Sequence, residues 1–382
     1  MNKASPGLFT GSDATYMLKN TSYFKNCFQK EAVFLLYRKS RANSFKGIKR
    51  RQERGDRIMK TLEVKGLTKR YGKFTAVDGI TFDVESGSMI GFLGENGAGK
   101  STSINMLSTI LTPDDGEALI CGYMLGRQDM DIRRSIGVVY QSNVLDEILT
   151  VKENLILRSE IRGLSKAEIK KRLSELGDLL KLGPIINKRY GLLSGGQKRR
   201  CEIALALMNS PKILFLDEPT TGLDPATRAD VWEAVKSLRS SEDMTVFLTT
   251  HYMEEAAAAD KIIILDKGKI LAEGTPFELK EKYAKDKLRL YFDPEKAAEM
   301  IGRLNRITDK GNLQSLSAAG GCGTPEEAVK QTTYGARLYL TNSLDAVGII
   351  NVLGDSINGF EVIQGNMDDV FLNVTGKEKE TI

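Results

Sequence analysis

Apolar and polar positions change their period several times along the chain, and each change marks an element. From Leu62, LEVKGL and then FTAVDGITFDVESGSMIGFLG read as short strands separated by Gly and Ser-Gly turns. The last of them, Met89–Leu93, is an apolar run that leads into a Gly-rich loop and a helix from about Lys100. Glu117–Cys121 and Ile136–Tyr140 read as further strands, and Val151 to about Met208 as helix-rich, broken at Gly163, Gly183-Pro184 and Gly191. Buried-strand runs return at Ile213–Leu216, Thr245–Leu248 and Ile262–Leu265, alternating with helical segments. Such alternation predicts an α/β fold, a mostly parallel sheet covered on both faces, with an antiparallel portion first and a helical insertion in the middle. A charged segment, Glu281–Lys287, marks a boundary. Beyond it LRLYF, KAAEMIGRLN, ARLYLT, LDAVGIINVLG and FEVIQG alternate strand and helix, as in a small α+β domain. The expected division is an α/β domain over 59–284, an α+β domain over 285–376 and a tail over 377–382.

Charge changes the picture at the start of the chain. The 382 residues carry a net +5, but residues 1–58 hold thirteen Lys/Arg against four Asp/Glu, a net +9 that leaves −4 for the rest. The basicity therefore belongs to the leader, and the body gives no reason to expect nucleic acid as a partner. Apart from a short helix candidate over Phe28–Tyr37, the leader has no sustained period. Two readings stay open: a basic N-terminal arm, or a stretch that is not translated. For the second, Glu53-Arg54-Gly55-Asp56-Arg57 can be encoded by purine-rich codons resembling a bacterial ribosome-binding site just before Met59. No window approaches the ~18 consecutive apolar residues of a membrane-spanning helix. Ala32–Tyr37 is too short for a signal-peptide core. Cys27, Cys121, Cys201 and Cys322 are scattered, with no CxxC pair, which excludes a zinc ribbon or a disulfide scaffold and fits a reducing compartment.

Three motifs carry the chemistry. Gly94-Glu95-Asn96-Gly97-Ala98-Gly99-Lys100-Ser101-Thr102 fits GxxxxGK[ST] directly after an apolar strand. Its backbone N–H groups can wrap phosphate oxygens, Lys100 can reach the β- and γ-phosphates, and Ser101 can ligate Mg²⁺. In ILFLDEP, four apolar residues bring Asp217 and Glu218 to the carboxyl end of a buried strand, where ligands sit in open α/β sheets. Asp217 is placed for Mg²⁺ and Glu218 to polarise an attacking water. The third is LSGGQ, Leu193–Gln197, opening a helical run over Gln197–Met208. Taken alone it is a helix cap; it is also a second anion site at a helix end. One nucleotide does not need two such helix ends from one chain, so the duplication makes sense if the site is shared between two chains.

These motifs in this order resemble the ATP-binding cassette (ABC) family, over roughly Leu62 to Tyr283. The resemblance implies a P-loop NTPase cassette with a mostly parallel sheet core, an antiparallel β subdomain and a helical subdomain, using ATP and Mg²⁺. It implies further roles. Tyr71 is the aromatic that stacks on adenine, and Gln141 after IGVVY the glutamine that touches Mg²⁺ or water. Asp224 of GLDP signals between two sites. His251, the only histidine in the chain, is the switch that contacts the γ-phosphate. Ser194, Gly195, Gly196 and Gln197 close over the phosphate loop of a second cassette, in a head-to-tail dimer for which a homodimer is expected. DEILTVKENL at Asp146–Leu155 and MDDVFLNVTG at Met367–Gly376 are similar to exporter ATPases of the daunorubicin/multidrug-resistance group. That implies an ABC-2-type exporter subunit, held at the cytoplasmic face of the cell membrane by a separate integral-membrane permease. It would power efflux of a drug-like, lipid or other substrate. The alternative is a soluble ATPase with a regulatory or self-resistance role and no transport.

Overall fold

A computed structural model of the chain describes residues 59–242, 244–309, 329–332, 335–340 and 344–376. The expectations for 1–58, the Phe28–Tyr37 helix included, and for the tail over 377–382 lie outside the described residues, as do Cys27 and Cys322.

Two long strands, β1 (Lys60–Tyr71) and β2 (Phe74–Glu85), form one antiparallel hairpin where the sequence suggests several short strands. Register shifts between Val64 and Leu67 and between Lys69 and Arg70 absorb the breaks in apolar alternation that make the run look discontinuous. β1 also pairs with β4 (Asp115–Ile120), and β4 with β5 (Tyr123–Met124), giving the sheet order β2-β1-β4-β5.

The second sheet runs β10-β9-β3-β8-β7-β6, built from β3 (Met89–Leu93), β6 (Ile136–Val139), β7 (Ile213–Asp217), β8 (Thr245–Thr250), β9 (Lys261–Asp266) and β10 (Lys269–Gly274). Its neighbours are parallel except for the β9-β10 hairpin. β10 escapes a reading by pattern because it is an edge strand burying little besides Ala272.

The parallel strands read as unbroken apolar runs because each face meets its own core. Met89, Leu214, Leu216, Val246, Leu248, Ile262 and Ile264 face a core shared with the helices. Ile90, Phe92, Phe215, Phe247, Ile263 and Leu265 face the antiparallel sheet. On that second side Phe247 packs against Phe92 and Phe215 with ring centroids 5.2 and 5.4 Å apart.

The helices of this part are α1 (Lys100–Leu107), α2 (Asp129–Ser135), α3 (Val151–Ile161), α4 (Lys166–Leu179), α5 (Gly195–Leu207), α6 (Pro225–Glu242), α7 (Met253–Ala256) and α8 (Pro276–Tyr283). Capping boxes start α3 (Thr150 with Glu153), α4 (Ser165 with Glu168), α5 (Ser194 with Gln197) and α8 (Thr275 with Glu278). Each satisfies two otherwise unpaired groups at a helix start, and each cap contributes about 1 kcal/mol.

The charged segment at Glu281–Lys287 is mostly structured. It completes α8 and opens β11 (Asp286–Tyr291), leaving Ala284 and Lys285 between them. β11, α9 (Ala297–Asp309), β12 (Val329–Thr332), β13 (Gly335–Leu340), α10 (Asp345–Leu353) and β14 (Gly359–Ile363) follow a β-α-β-β-α-β order, with strands arranged β12-β13-β11-β14. Leu288, Leu290, Met300, Leu304, Leu338 and Ile349 make its separate core. The last helix, α11 (Met367–Thr375), leaves that core: its Met367, Val370 and Phe371 join the helix-side core of the larger sheet, with Ala256 and Leu279. Lys287 Nζ, 2.6 Å from Asp369 Oδ1, ties β11 to α11.

Candidate ATP site

The site stands at the carboxyl ends of β3, β7 and β8, three neighbours in the parallel sheet. β3 ends at Leu93, the loop 94–99 turns, and α1 starts at Lys100. Gly99 turns the corner at φ 106°, and a Cβ there would lie 2.5 Å from the carbonyl of Ala76, so the turn accepts only glycine. The turn aims the free N–H groups of the α1 start at one point, a ready anion site.

Lys100 is buried at that point. Its Nζ donates to the carbonyls of Gly94 (2.7 Å) and Glu95 (3.0 Å) and lies 3.3 Å from Glu218 Oε1. The loop thus wraps its own cation in the position a phosphate would claim. β7 supplies the two carboxylates. Asp217 Oδ1 accepts from Thr249 Oγ1 at 2.6 Å and from Ser101 Oγ at 3.1 Å, so hydroxyl and carboxylate already share one location. Hard oxygen donors of this kind suit Mg²⁺, which takes few protein ligands and fills the rest with water and phosphate oxygen. No group of three His, Cys, Asp or Glu side chains able to hold a metal occurs among the described residues.

Glu218 sits one residue beyond the strand at φ 45°, a left-handed conformation unusual for a non-glycine residue. Its N–H donates to the carbonyl of Thr249, and its Oε2 accepts from Thr221 Oγ1 at 3.0 Å. Burial opposes the charged form of its carboxyl. Burial is the largest single influence, yet the Lys100 cation, the Thr221 hydroxyl and His251 together outweigh it and hold the group below the ordinary carboxylate range. His251, just past β8, places Nδ1 3.2 Å from Glu218 Oε2, within ion-pair distance but without hydrogen-bond alignment. Its ring packs, tilted, against Tyr252 with centroids 4.1 Å apart, and the Arg228 guanidinium lies 4.3 Å from the centre of the Tyr252 ring.

The remaining predicted residues stand apart from this cluster. Gln141 lies exposed in the loop after β6 and makes no hydrogen bond among the described residues. Asp224 caps α6, its carboxylate accepting from Thr227 N at 3.0 Å and from the Thr227 hydroxyl. Ser194 and Gln197 satisfy each other in the α5 capping box, Ser194 Oγ accepting from Gln197 N at 3.4 Å. α5 begins at Gly195, two residues before the expected helix start, because Ser194 is its cap. Gly196 packs on Thr227, and a Cβ there would lie 1.9 Å from Thr227 Cγ2. Tyr71 ends β1 half exposed and pairs across the hairpin with Phe74, which is 62% exposed. Phe74 is a second candidate for the base platform that the sequence reading passes over, its signal being a two-residue turn that sets it opposite Tyr71. Thr249 and Thr221, which hold the carboxylates, are also passed over.

A protein-family model described as ABC transporter matches residues 77–221. The daunorubicin/doxorubicin resistance ATP-binding protein DrrA of Streptomyces peucetius is 36% identical over 322 residues, covering 83% of this chain and 93% of the relative. The chain belongs to the ABC transporter family. The Nod factor export ATP-binding protein I of Rhizobium sp. (strain N33) is 42% identical over 323 residues, 84% of this chain and 98% of that protein. Among solved structures, an ATP-binding subunit of an ABC transporter superposes with a TM-score of 0.53 at 31% identity, over 58% of this chain and 93% of that one. The dimeric post-hydrolysis state of the cassette MJ0796, bound to ADP and phosphate, gives 0.51 at 31% identity, over 56% and 98%. This ABC chain therefore shares the cassette fold as well as the motif order.

Two outcomes follow from the geometry. Lys100→Met should move the Glu218 titration upward, since burial then faces weaker opposition; an unchanged midpoint in a ¹³C-carboxyl NMR titration would remove Lys100 as the cause. Gly196→Ala should destabilise the α5–α6 contact by about 1–3 kcal/mol through overpacking. Adding Thr227→Ser, which deletes the offending methyl and keeps the hydroxyl, should recover most of that loss in thermal unfolding.

Proposed function

We propose that this chain hydrolyses ATP as the cassette subunit of an exporter, in a head-to-tail pair with a second cassette and docked on a membrane permease. The observation that carries the reading is the convergence of Lys100, Ser101, Asp217, Glu218 and His251 at three adjacent strand ends. Ser101 and Asp217 would hold Mg²⁺, which supplies charge neutralisation for the phosphates when bound. Incoming phosphate offers Lys100 better acceptors than the Gly94 and Glu95 carbonyls, so the cation leaves Glu218 as the nucleotide enters. Glu218, ionised and anchored by Thr221, can then accept a proton from an attacking water. His251 is close enough to steady the same carboxylate and to reach toward the terminal phosphate. Gln141 would swing in from its loop to complete the set, and Tyr71 would receive the adenine.

The pairing with a second cassette is supported by the idle helix end at Ser194–Gly196, whose cap is satisfied internally and whose first two residues are exposed. Asp224, tied to its own helix start, would communicate through α6. Attachment at the cytoplasmic face of the membrane through a permease is supported in two ways. No helix among the described residues is long and apolar enough to cross a membrane. Relatives also carry the names of resistance and export ATP-binding proteins, including linearmycin resistance LnrL of Bacillus subtilis (strain 168) at 41% identity. The β-α-β-β-α-β unit beyond residue 284 is then an accessory domain.

Glu218→Gln should keep ATP binding, lower turnover by about 10²–10⁴-fold and accumulate ATP-bound dimers on gel filtration. Unchanged turnover would remove Glu218 from the mechanism. Tagged chain extracted from membranes should bring down a polytopic partner; full function from a pool without one would favour a role other than transport.

A further inference from the structure

Beyond the three motifs, α5 carries two buried charges that no step above uses. Arg199 is 6% exposed and Glu202 3% exposed, one turn apart on the same helix. Arg199 meets four backbone carbonyls. Nε donates to Pro219 O at 2.7 Å, Nη2 to Asp217 O at 3.0 Å and Glu218 O at 3.1 Å, and Nη1 to Tyr140 O. Glu202 Oε1 accepts from Val144 N at 2.9 Å, Leu145 N at 3.2 Å and the Tyr190 hydroxyl at 2.8 Å. Arg158 adds a bond to the carbonyl of Val144.

The partners form a pattern. Tyr140 and Val144–Leu145 are the two ends of the loop that carries Gln141. Asp217–Pro219 is the turn that holds Glu218 at its left-handed φ. A strained non-glycine turn persists only where its surroundings over-determine it, and here Thr249 grips the Glu218 N–H from one side while Arg199 grips its carbonyl from the other. A planar guanidinium with five donors can hold four carbonyls on two chain segments in this way; an ammonium, with three donors, cannot hold all four. A cation buried against carbonyls alone would be costly, and Glu202 on the next turn supplies the compensating charge.

We infer that Arg199 and Glu202 are positioning residues that make the Gln141 loop and the Glu218 turn move with the signature helix. The inference rests on the proposed cassette pairing. Ser194, at the start of α5, faces the partner's nucleotide, and Glu202 lies about 12 Å further along the same rigid rod. One helix thus connects the nucleotide bound by the partner to the base and the glutamine of this chain's own site. Each site then senses whether the other is closed.

The test uses the full chain. Arg199→Lys and Glu202→Leu should each keep ATP affinity within about threefold yet lower kcat by about tenfold or more, since small misplacements of reacting groups are expensive. The Hill coefficient for ATP should fall toward 1 in both. Glu202→Gln, which keeps the accepting oxygen but removes the charge beside Arg199, should fall between wild type and Glu202→Leu. Wild-type kcat and cooperativity in Arg199→Lys and Glu202→Leu, or losses that only track the unfolded fraction, would overturn the clamp. So would a Glu202→Gln variant as slow as Glu202→Leu. Hydrogen exchange on the unmodified chain serves if variants fail to fold: the Val144 and Leu145 amides should be as protected as α5 itself, and fast exchange there would sink the idea. Absence of ATP hydrolysis by the wild type would instead strike the functional reading.

Discussion

Two carboxylates buried at the end of one strand, one of them paired with a buried lysine, set the terms for the rest of the structure. Asp217 and Glu218 are 5% and 7% exposed, too deep to hold charge without compensation. Lys100, itself buried, supplies the nearest cation, and removing one member of such a pair costs about 3–5 kcal/mol. This ion pair therefore draws the phosphate loop onto the strand end. The same arrangement makes Lys100 a placeholder: its three donors are committed to carbonyls and to Glu218, partners that a phosphate outbids. Folding and nucleotide entry thus draw on one ion pair.

Geometry around the pair explains why the parallel sheet is placed as it is. β3, β7 and β8 are adjacent and in register, so Leu93, Asp217 and Thr249–Thr250 end at the same height. Each strand is buried on both faces, and the two cores leave strand ends as the exits where charged groups can reach solvent or ligand. Threonines at the ends of β8 do the fine positioning. Thr249 bridges to Asp217 and to the Glu218 amide, while Thr250 and Thr220 hold buried Glu255, which fixes the start of α7 just beyond His251.

Most of the candidate site is legible in the sequence because its residues are tied to features with short-range signals. A phosphate loop follows an apolar run, an acid pair ends another, and a capping serine opens a helix. Each signal spans fewer than about ten residues and needs no knowledge of the fold. What stays hidden depends on contacts between distant segments. Phe74 becomes notable only when the hairpin sets it opposite Tyr71. Arg199 and Glu202 look like ordinary charges on a helix surface until β6, β7 and the Gln141 loop close over them. α11 reads as the end of the small domain by sequence order, yet its apolar face finds the larger core. β10 is missed because an edge strand with one buried residue carries almost no pattern.

In the proposed pairing, the signature would serve two states. In the single chain, Ser194 and Gln197 cap each other, which satisfies the helix start and stabilises it by about 1 kcal/mol. A phosphate at that helix end would take over the same N–H groups with a full negative charge, a stronger partner than a hydroxyl or an amide oxygen. The internal cap is therefore weak enough to be displaced and strong enough to keep α5 folded while it waits. Gly196, pressed on Thr227, keeps that helix end close to the Asp224 turn, so the two segments must shift together. α5 cannot tilt toward a partner without carrying the α6 start at one end and, through Arg199, the Glu218 turn at the other. A rod anchored to both can transmit closure but cannot absorb it.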